Sequence, residues 1–293
     1  MPSLKAIRRR IQSVKGTQKI TKAMKMVAAS KLRRAQESIT AARPYAFAIR
    51  ELIKRLTAES GYMHPLMEPR ERVKNVALLV LTSDKGLCGG FNSNILRKAS
   101  LFLAENKGKY ESVQLYCVGK KAVDYFKFRK VPVKKTFVDV FHKLDYSKVE
   151  DIGMAAVEAY LAGEVDEVYV VYNEFKSAIS QKLTVEKMLP IEPMVEDEEE
   201  HKLHFSNEHI YEPAREEILN DLVPRHITAQ TLRCVLESIA SEHGARMTAM
   251  ESATSNADEM INKLTIQMNR TRQASITGEI MEIVGGAEAL QNG

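Results

Sequence analysis

The two ends of the chain constrain its fold more tightly than anything between them. No proline interrupts Ser3 to Arg43 or Arg225 to Gly293, and apolar residues recur through both stretches in alternating steps of four and three. That spacing lays one side chain per turn along a single stripe of an α-helix, which an interior proline would break. In the first stretch the beat runs through Leu4, Ile7, Ile11 and Val14 and resumes at Met24, Ala28, Leu32, Ala35, Ile39 and Ala42. It persists past Pro44 as Ala46, Ile49, Ile53 and Leu56. In the second stretch it runs through Ala257, Ile261, Leu264, Met268, Thr271 and Ser275, then Ile276, Ile280, Ile283, Ala287 and Leu290. At 1.5 Å per residue, helices of this length measure about 80 Å and about 100 Å, well beyond the width of a small domain, so they should project as a rod. A narrow apolar stripe is the seam of a coiled coil, and the two stripes are most simply buried against each other.

Between the helices the pattern changes. From Val73 onward short β-rich runs alternate with helical ones, the sign of βαβ units and a mostly parallel sheet. Lys74–Thr82, Ser112–Val118, Lys134–Phe141, Glu167–Glu174 and Ser180–Lys187 read as strands, with helices at Asn92–Glu105, Lys121–Phe128 and Lys148–Leu161. The expected fold class is α/β: a long antiparallel coiled coil of N- and C-terminal helices plus a central Rossmann-like α/β domain. Residues 1–60 form the first coiled-coil helix, 73–195 the α/β domain, 196–212 a connecting segment and 213–293 the second helix. Pro213 suits an early helical position, and Pro224 sits where it would kink the helix near its start.

Composition bounds the function. With 44% hydrophobic and 28% charged residues the chain is neither disordered nor of a membrane class. The longest clean apolar run, Val76–Leu81, is too short to cross a bilayer, and the basic amphipathic start lacks the apolar stretch of a secretory signal, so a cytosolic location is expected. Cys88, Cys117 and Cys234 are odd in number, far apart and without metal-ligand spacing, which predicts reduced thiols packed as small apolar groups. The net charge of +5 hides an asymmetry: residues 1–36 carry eleven Lys or Arg and no acid. Arg8, Arg9, Arg10, Lys15, Lys19 and Lys22 form a basic collar whose positive potential calls for an acidic partner, a phosphate backbone or plain water.

The motifs give little support to catalysis. The turn Thr82-Ser83-Asp84-Lys85-Gly86-Leu87-Cys88-Gly89-Gly90-Phe91-Asn92 joins a strand to a helix, a place that can cradle phosphate, but it has neither GxxxxGK[ST] nor GxGxxG spacing. A structural or partner-docking loop is the stronger reading. The histidines include no HExxH, with only His201 and His204 close together, and no GxSxG elbow occurs. The acidic run Glu196 to Glu200 lacks the alternation of a calcium loop and reads as a solvated turn. Gly278, Gly285 and Gly286 each cost a helix roughly 1 kcal/mol relative to alanine, which is tolerable where something packs very close. Packing within the stalk is the simplest occupant, and a helical tip held in a sleeve would require the same thing.

At this point the phrases themselves resemble a known family, the gamma subunits of F-type ATP synthases. Ile276-Thr277-Gly278-Glu279-Ile280-Met281-Glu282-Ile283-Val284-Gly285-Gly286-Ala287-Glu288-Ala289, preceded by Arg272-Gln273-Ala274-Ser275, is similar to the family's C-terminal signature. Lys19-Ile20-Thr21-Lys22-Ala23-Met24-Lys25-Met26-Val27-Ala28-Ala29-Ser30-Lys31 resembles its opening helix, Ser83–Asn92 its central loop, and Ala245-Arg246-Met247-Thr248-Ala249-Met250 supplies a fourth match. The resemblance implies a central-stalk rotor subunit that performs no bond chemistry, binds no cofactor or metal itself, and leaves ATP, ADP and Mg to partner subunits. The implied partners are three alpha and three beta subunits, an epsilon subunit and the membrane c-ring, on the cytoplasmic face of the inner membrane, with no nucleic acid and no insertion into the bilayer. It places Met24 and Lys25 near the acidic lever of the beta subunits. It also places Glu242, Arg246, Arg272, Gln273, Thr277 and Glu279 at contacts with alpha and beta loops, and residues 203–211 near the membrane ring. A coiled-coil protein that binds nucleic acid with a basic helical arm is the alternative of a different class.

Overall fold

The apolar runs of the middle segment do form a sheet, and its topology follows from their order. The computed structural model describes residues 3–60, 62–141, 144–192 and 211–291. The elements are α1 (Leu4–Ser60), β1 (Asn75–Leu81), α2 (Phe91–Glu105), β2 (Ser112–Val118), α3 (Lys120–Phe128), β3 (Lys135–Phe137), α4 (Tyr146–Leu161), β4 (Glu167–Phe175), β5 (Gln181–Leu189) and α5 (Arg215–Gln291). The chain divides into two compact units, one made of Met1–Ala28 with Arg246–Gly293 and the other of Ala29–Ala245.

In the larger unit the strand order is β3-β2-β1-β4-β5. The first four strands are parallel, and β5 returns antiparallel along β4. The β1–α2–β2 and β2–α3–β3 crossovers step one way along the sheet and β3–α4–β4 steps back. Right-handed connections therefore put α2 and α3 on one face and α4 on the other. The α4 face also carries part of α5: Thr231 Oγ1 and Thr228 Cα lie 3.2 and 3.4 Å from where a side chain on Gly153 of α4 would begin. β1 is buried on both faces, as its unbroken apolar sequence requires, and α1 contributes Ile53 and Leu56, both 0% exposed, to the same core. Burying each such side chain is worth about 1.5–3 kcal/mol. That helps α1 to run on through Pro44, and α5, seated by Leu219, Val223 and Ile227, runs through Pro224 without a break in the helix.

β3 is shorter than the expected Lys134–Phe141. Asp139 adopts φ +58° and its N–H donates to Asp84 Oδ1 at 3.2 Å, so the chain turns away from β2 after Phe137. Asp84 Oδ1 also accepts the N–H of Lys120 at 3.0 Å, fixing the start of α3. There the backbones come very close: Gly119 has φ +89°, and an added Cβ would sit 2.0 Å from the Thr82 carbonyl oxygen.

In the smaller unit α1 and α5 pair antiparallel along the expected seam. Ile7, Ala28, Ala257 and Leu264 are buried, and Ile11, Val14, Ile261 and Met268 are partly so. The apparent gap in the beat between Val14 and Met24 is filled by polar pairs in step with it. Gln18 donates to Asp258, Thr21 and Thr254 share a 2.7 Å hydrogen bond between hydroxyls, and Lys25 Nζ meets Glu251 Oε1 at 2.7 Å. Each step along α1 is matched by a step backward along α5, so three successive layers of the seam are polar. Such layers favour one register over its neighbours because a shifted pairing strands their hydrogen-bonding groups.

Gly119→Ala is expected to cost more than about 3 kcal/mol, seen as a large fall in thermal midpoint or loss of folded protein, since both the close approach and the positive φ exclude a side chain. Gly16→Ala, with open space around it, should instead stabilise the helix by up to about 1 kcal/mol. Lys25→Glu or Glu251→Lys alone should lower stability by up to about 1 kcal/mol at low salt, and the double reversal should recover most of that loss. Additive single effects in that cycle would show that the two charges are not coupled.

Candidate functional site

The seam of the smaller unit ends before α5 does. α1 begins at Leu4, Thr271 is partly buried, and every residue from 272 to 287 is exposed. Ile276, Ile280, Ile283 and Val284 are 49%, 53%, 72% and 49% exposed, which corrects the expectation that the apolar beat here is buried against the first helix. The physical reason is length: α1 supplies no residue opposite this part of α5. Gly278, Gly285 and Gly286 have nothing within 4 Å of an added Cβ, so packing within the stalk does not explain them. A contiguous exposed apolar stripe with three unexplained glycines is the signature of a surface that another protein covers closely.

The expected contact residues fall in three places. Arg272, Gln273, Thr277 and Glu279 lie on the exposed end of α5, where Ser275 Oγ donates to Glu279 Oε1 at 3.2 Å. The collar residues Arg8, Arg9, Arg10, Lys15, Lys19 and Lys22 are all exposed on α1. Met24 is partly buried at the seam, one turn from the outward-facing Ile20 and Val27, which are 62% and 57% exposed. Lys25 is engaged by Glu251, and Arg246 is partly buried. Glu242 lies inside the larger unit, 4% exposed. Residues 196–200, His201, His204 and residues 203–210 lie outside the described residues.

The glycine-rich turn is closed by Ser83 and Asn92, while Asp84 Oδ2 is buried in it without a hydrogen-bond partner among the described residues. Asn92 Oδ1 accepts the Ser83 N–H at 3.0 Å, and Asn92 Nδ2 donates to Ser83 Oγ at 2.9 Å and to the Lys85 carbonyl at 3.3 Å. The Ser83 N–H and the Asn92 side-chain amide are thus spent closing the loop. The loop presents Lys85 and Leu87 outward, Leu87 being 64% exposed at φ +62°. This arrangement fits a docking loop.

The titratable groups of the larger unit are structural. Burial pushes Cys117 and Cys234 up to about 12, keeping both as thiols at neutral pH. Burial, with the Arg50 and Arg233 charges nearby, pushes His226 down to about 4, so its imidazole is neutral. Arg233 pairs with Glu186 and donates to Tyr172 Oη at 3.2 Å, while the Tyr172 hydroxyl donates to Glu186 at 2.8 Å, tying α5 to β4 and β5. Among the described residues no group of three or more His, Cys, Asp or Glu is placed to hold a metal ion.

The spacing rules missed the polar layers Gln18–Asp258 and Thr21–Thr254, because these residues are not apolar. Their signal is nonetheless present: Gln18 and Thr21 sit where the four-three beat would place a seam residue.

Comparison with known proteins agrees with this geometry. A family model described as ATP synthase matches residues 3–290. The chain is 52% identical over 295 residues to the ATP synthase gamma chain of Anaeromyxobacter sp. (strain Fw109-5), covering 99% of this chain and 100% of that one. It is 48% identical over 292 residues to that of Geobacter metallireducens, with the same coverage. Among solved structures, a chain in the central stalk and c-ring of Tetrahymena thermophila mitochondrial ATP synthase is similar at TM-score 0.61 and 25% identity, over 80% of this chain and 99% of that one. A chain in the rotor of Euglena gracilis mitochondrial ATP synthase shares the fold at TM-score 0.64 and 21% identity, over 93% and 98%. None of these supports the nucleic-acid reading of the basic helix. A family model over residues 3–290 and relatives about half identical over their full length show that this protein belongs to the ATP synthase gamma chain family.

Proposed function

We propose that this chain is the central axle of an ATP synthase and couples ion flow through a membrane c-ring to conformational change at catalytic beta subunits, without catalysing any bond change itself. The observation that carries the reading is the apolar end of α5, exposed from 272 to 287. A sleeve formed by three alpha and three beta subunits would cover it, with ATP, ADP and Mg bound on those subunits and none on this chain. The α/β domain would carry an epsilon subunit and seat on the ring at the cytoplasmic face of the inner membrane. Among the described residues no helix is long and apolar enough to cross a membrane, which fits a peripheral subunit.

The mechanism follows from asymmetry. A ligand or partner shifts an equilibrium only by its differential affinity for the two states, so a rod acts on the surrounding sites only where its faces differ. A tenfold bias in nucleotide affinity requires about 1.4 kcal/mol. Moving one exposed isoleucine, such as Ile280, from water into an apolar sleeve is worth about 1.5–3 kcal/mol, so one side chain presented to one beta subunit and withheld from the next suffices. The collar adds attraction to an acidic lever, and Met24, beside Ile20 and Val27, lies where such a lever would bear on α1.

Affinity purification of the tagged chain from native membranes is expected to recover one copy with three alpha, three beta and one epsilon subunit, free of nucleic acid. Recovery alone or with nucleic acid would overturn the proposal. Ile276→Asp with Ile280→Asp should leave the thermal midpoint of the isolated chain within about 1–2 °C, because both positions are already exposed, yet reduce recovery of alpha and beta severalfold. Met24→Lys should lower the number of ions pumped per ATP hydrolysed more than it lowers thermal stability, and an unchanged pumping ratio would remove Met24 from the coupling surface.

A further inference from the structure

α2 and α3 lie side by side on the sheet face opposite α4, and between them runs an open groove of about 620 Å³. Its floor is apolar, formed by Leu96, Leu101 and the Tyr125 ring, and Arg97, Lys121 and Arg129 line it. Its walls are held: Tyr125 Oη and Ser100 Oγ share a hydrogen bond of 3.1 Å from α3 to α2, and the Arg129 guanidinium stacks 4.0 Å from the Tyr125 ring centroid. None of the three cations forms an ion pair among the described residues, whereas many other surface cations of this chain do, Lys134 with Glu164 and Lys135 with Glu158 among them. From Phe91 to Glu105 and from Lys120 to Lys130 the sequence carries seven Lys or Arg against two acids, Glu105 and Asp124, neither of which lines the groove. Phe128, one helical turn beyond Tyr125, is 89% exposed, and Leu101 is 46% exposed.

We propose that the α2–α3 groove is a docking site for an acidic amphipathic helix of a protein partner, whose apolar side chains fill the space over Leu101 and Tyr125 and whose carboxylates meet Arg97, Lys121 and Arg129. Charge and shape together select this occupant. Unpaired guanidinium groups above an apolar floor match a helix with carboxylates flanking an apolar stripe, and a helix in a groove between two helices is a recurrent recognition mode. A nucleic acid would leave the apolar floor unused, since its phosphates answer only the cations.

The test uses a single reporter thiol. Cys88, Cys117 and Cys234 are buried, so Leu101→Cys gives one reactive site in the groove. In native membranes that thiol should react with a maleimide about tenfold more slowly than in the purified chain. Half-molar salt, or Arg97→Gln with Arg129→Gln, should restore the faster rate. A benzophenone maleimide carried by the same cysteine should on illumination join to a protein segment rich in Asp and Glu. Equal labelling rates in membranes and in the purified chain, or adducts only to lipid or nucleic acid, would overturn the proposal. Circular dichroism and the thermal midpoint of the glutamine variant guard against misfolding, and Arg97→Lys with Arg129→Lys, which keeps the charge, should preserve the protection. Loss of protection in the lysine variant at an unchanged thermal midpoint would overturn the charge-based recognition.

Discussion

A helix that carries an apolar stripe has to bury it, and in the smaller unit the burying helix is the shorter of the two. α1 covers α5 as far as Thr271 and no further, because its own first turn begins at Leu4. Beyond that point Ile276, Ile280 and Ile283 continue the stripe into solvent. Leaving such a surface bare is unfavourable for a soluble protein, and an assembly that sheathes it removes that cost. The proposed role as an axle rests on this mismatch in length more than on any single polar residue.

The covered part of the seam is not uniform. Its three polar layers, ending in Lys25–Glu251, interrupt an otherwise small-residue and aliphatic interface. A wholly apolar seam would be stickier but less particular about alignment, whereas each polar layer is satisfied in one pairing only. The larger unit shows a different economy. Its central strand β1 is buried on both faces, its thiols stay protonated and its imidazole at His226 stays neutral, so its interior supplies rigidity. The loop around Asn92 turns Ser83 and Asn92 inward and Leu87 out.

Much of this was legible before any coordinates. The strands and helices of the middle segment follow from alternating β-rich and helical runs, and most observed bounds lie within two residues of the expected ones. β3 is the exception, because its early end depends on Asp84 reaching across from another loop to take the Asp139 N–H, a contact between residues 55 positions apart in the sequence. Resemblance of sequence assigns Glu242 to a partner contact, and only packing reveals that it is inside.

Periodicity along each terminal segment determined by itself that two long helices would form and that their stripes would match, since a repeat of about 3.5 residues is a property of one strand of sequence. The charge asymmetry of residues 1–36 and the absence of nucleophile, metal or phosphate motifs are likewise written in the chain alone. Tertiary structure alone decided where the pairing stops, which glycines face open space, which cations lack a partner and which polar residues complete the seam. Those are properties of distance between segments far apart in the sequence. A stripe looks the same whether it is buried against a helix or left for another protein to cover, and only the position of the second helix tells the two cases apart.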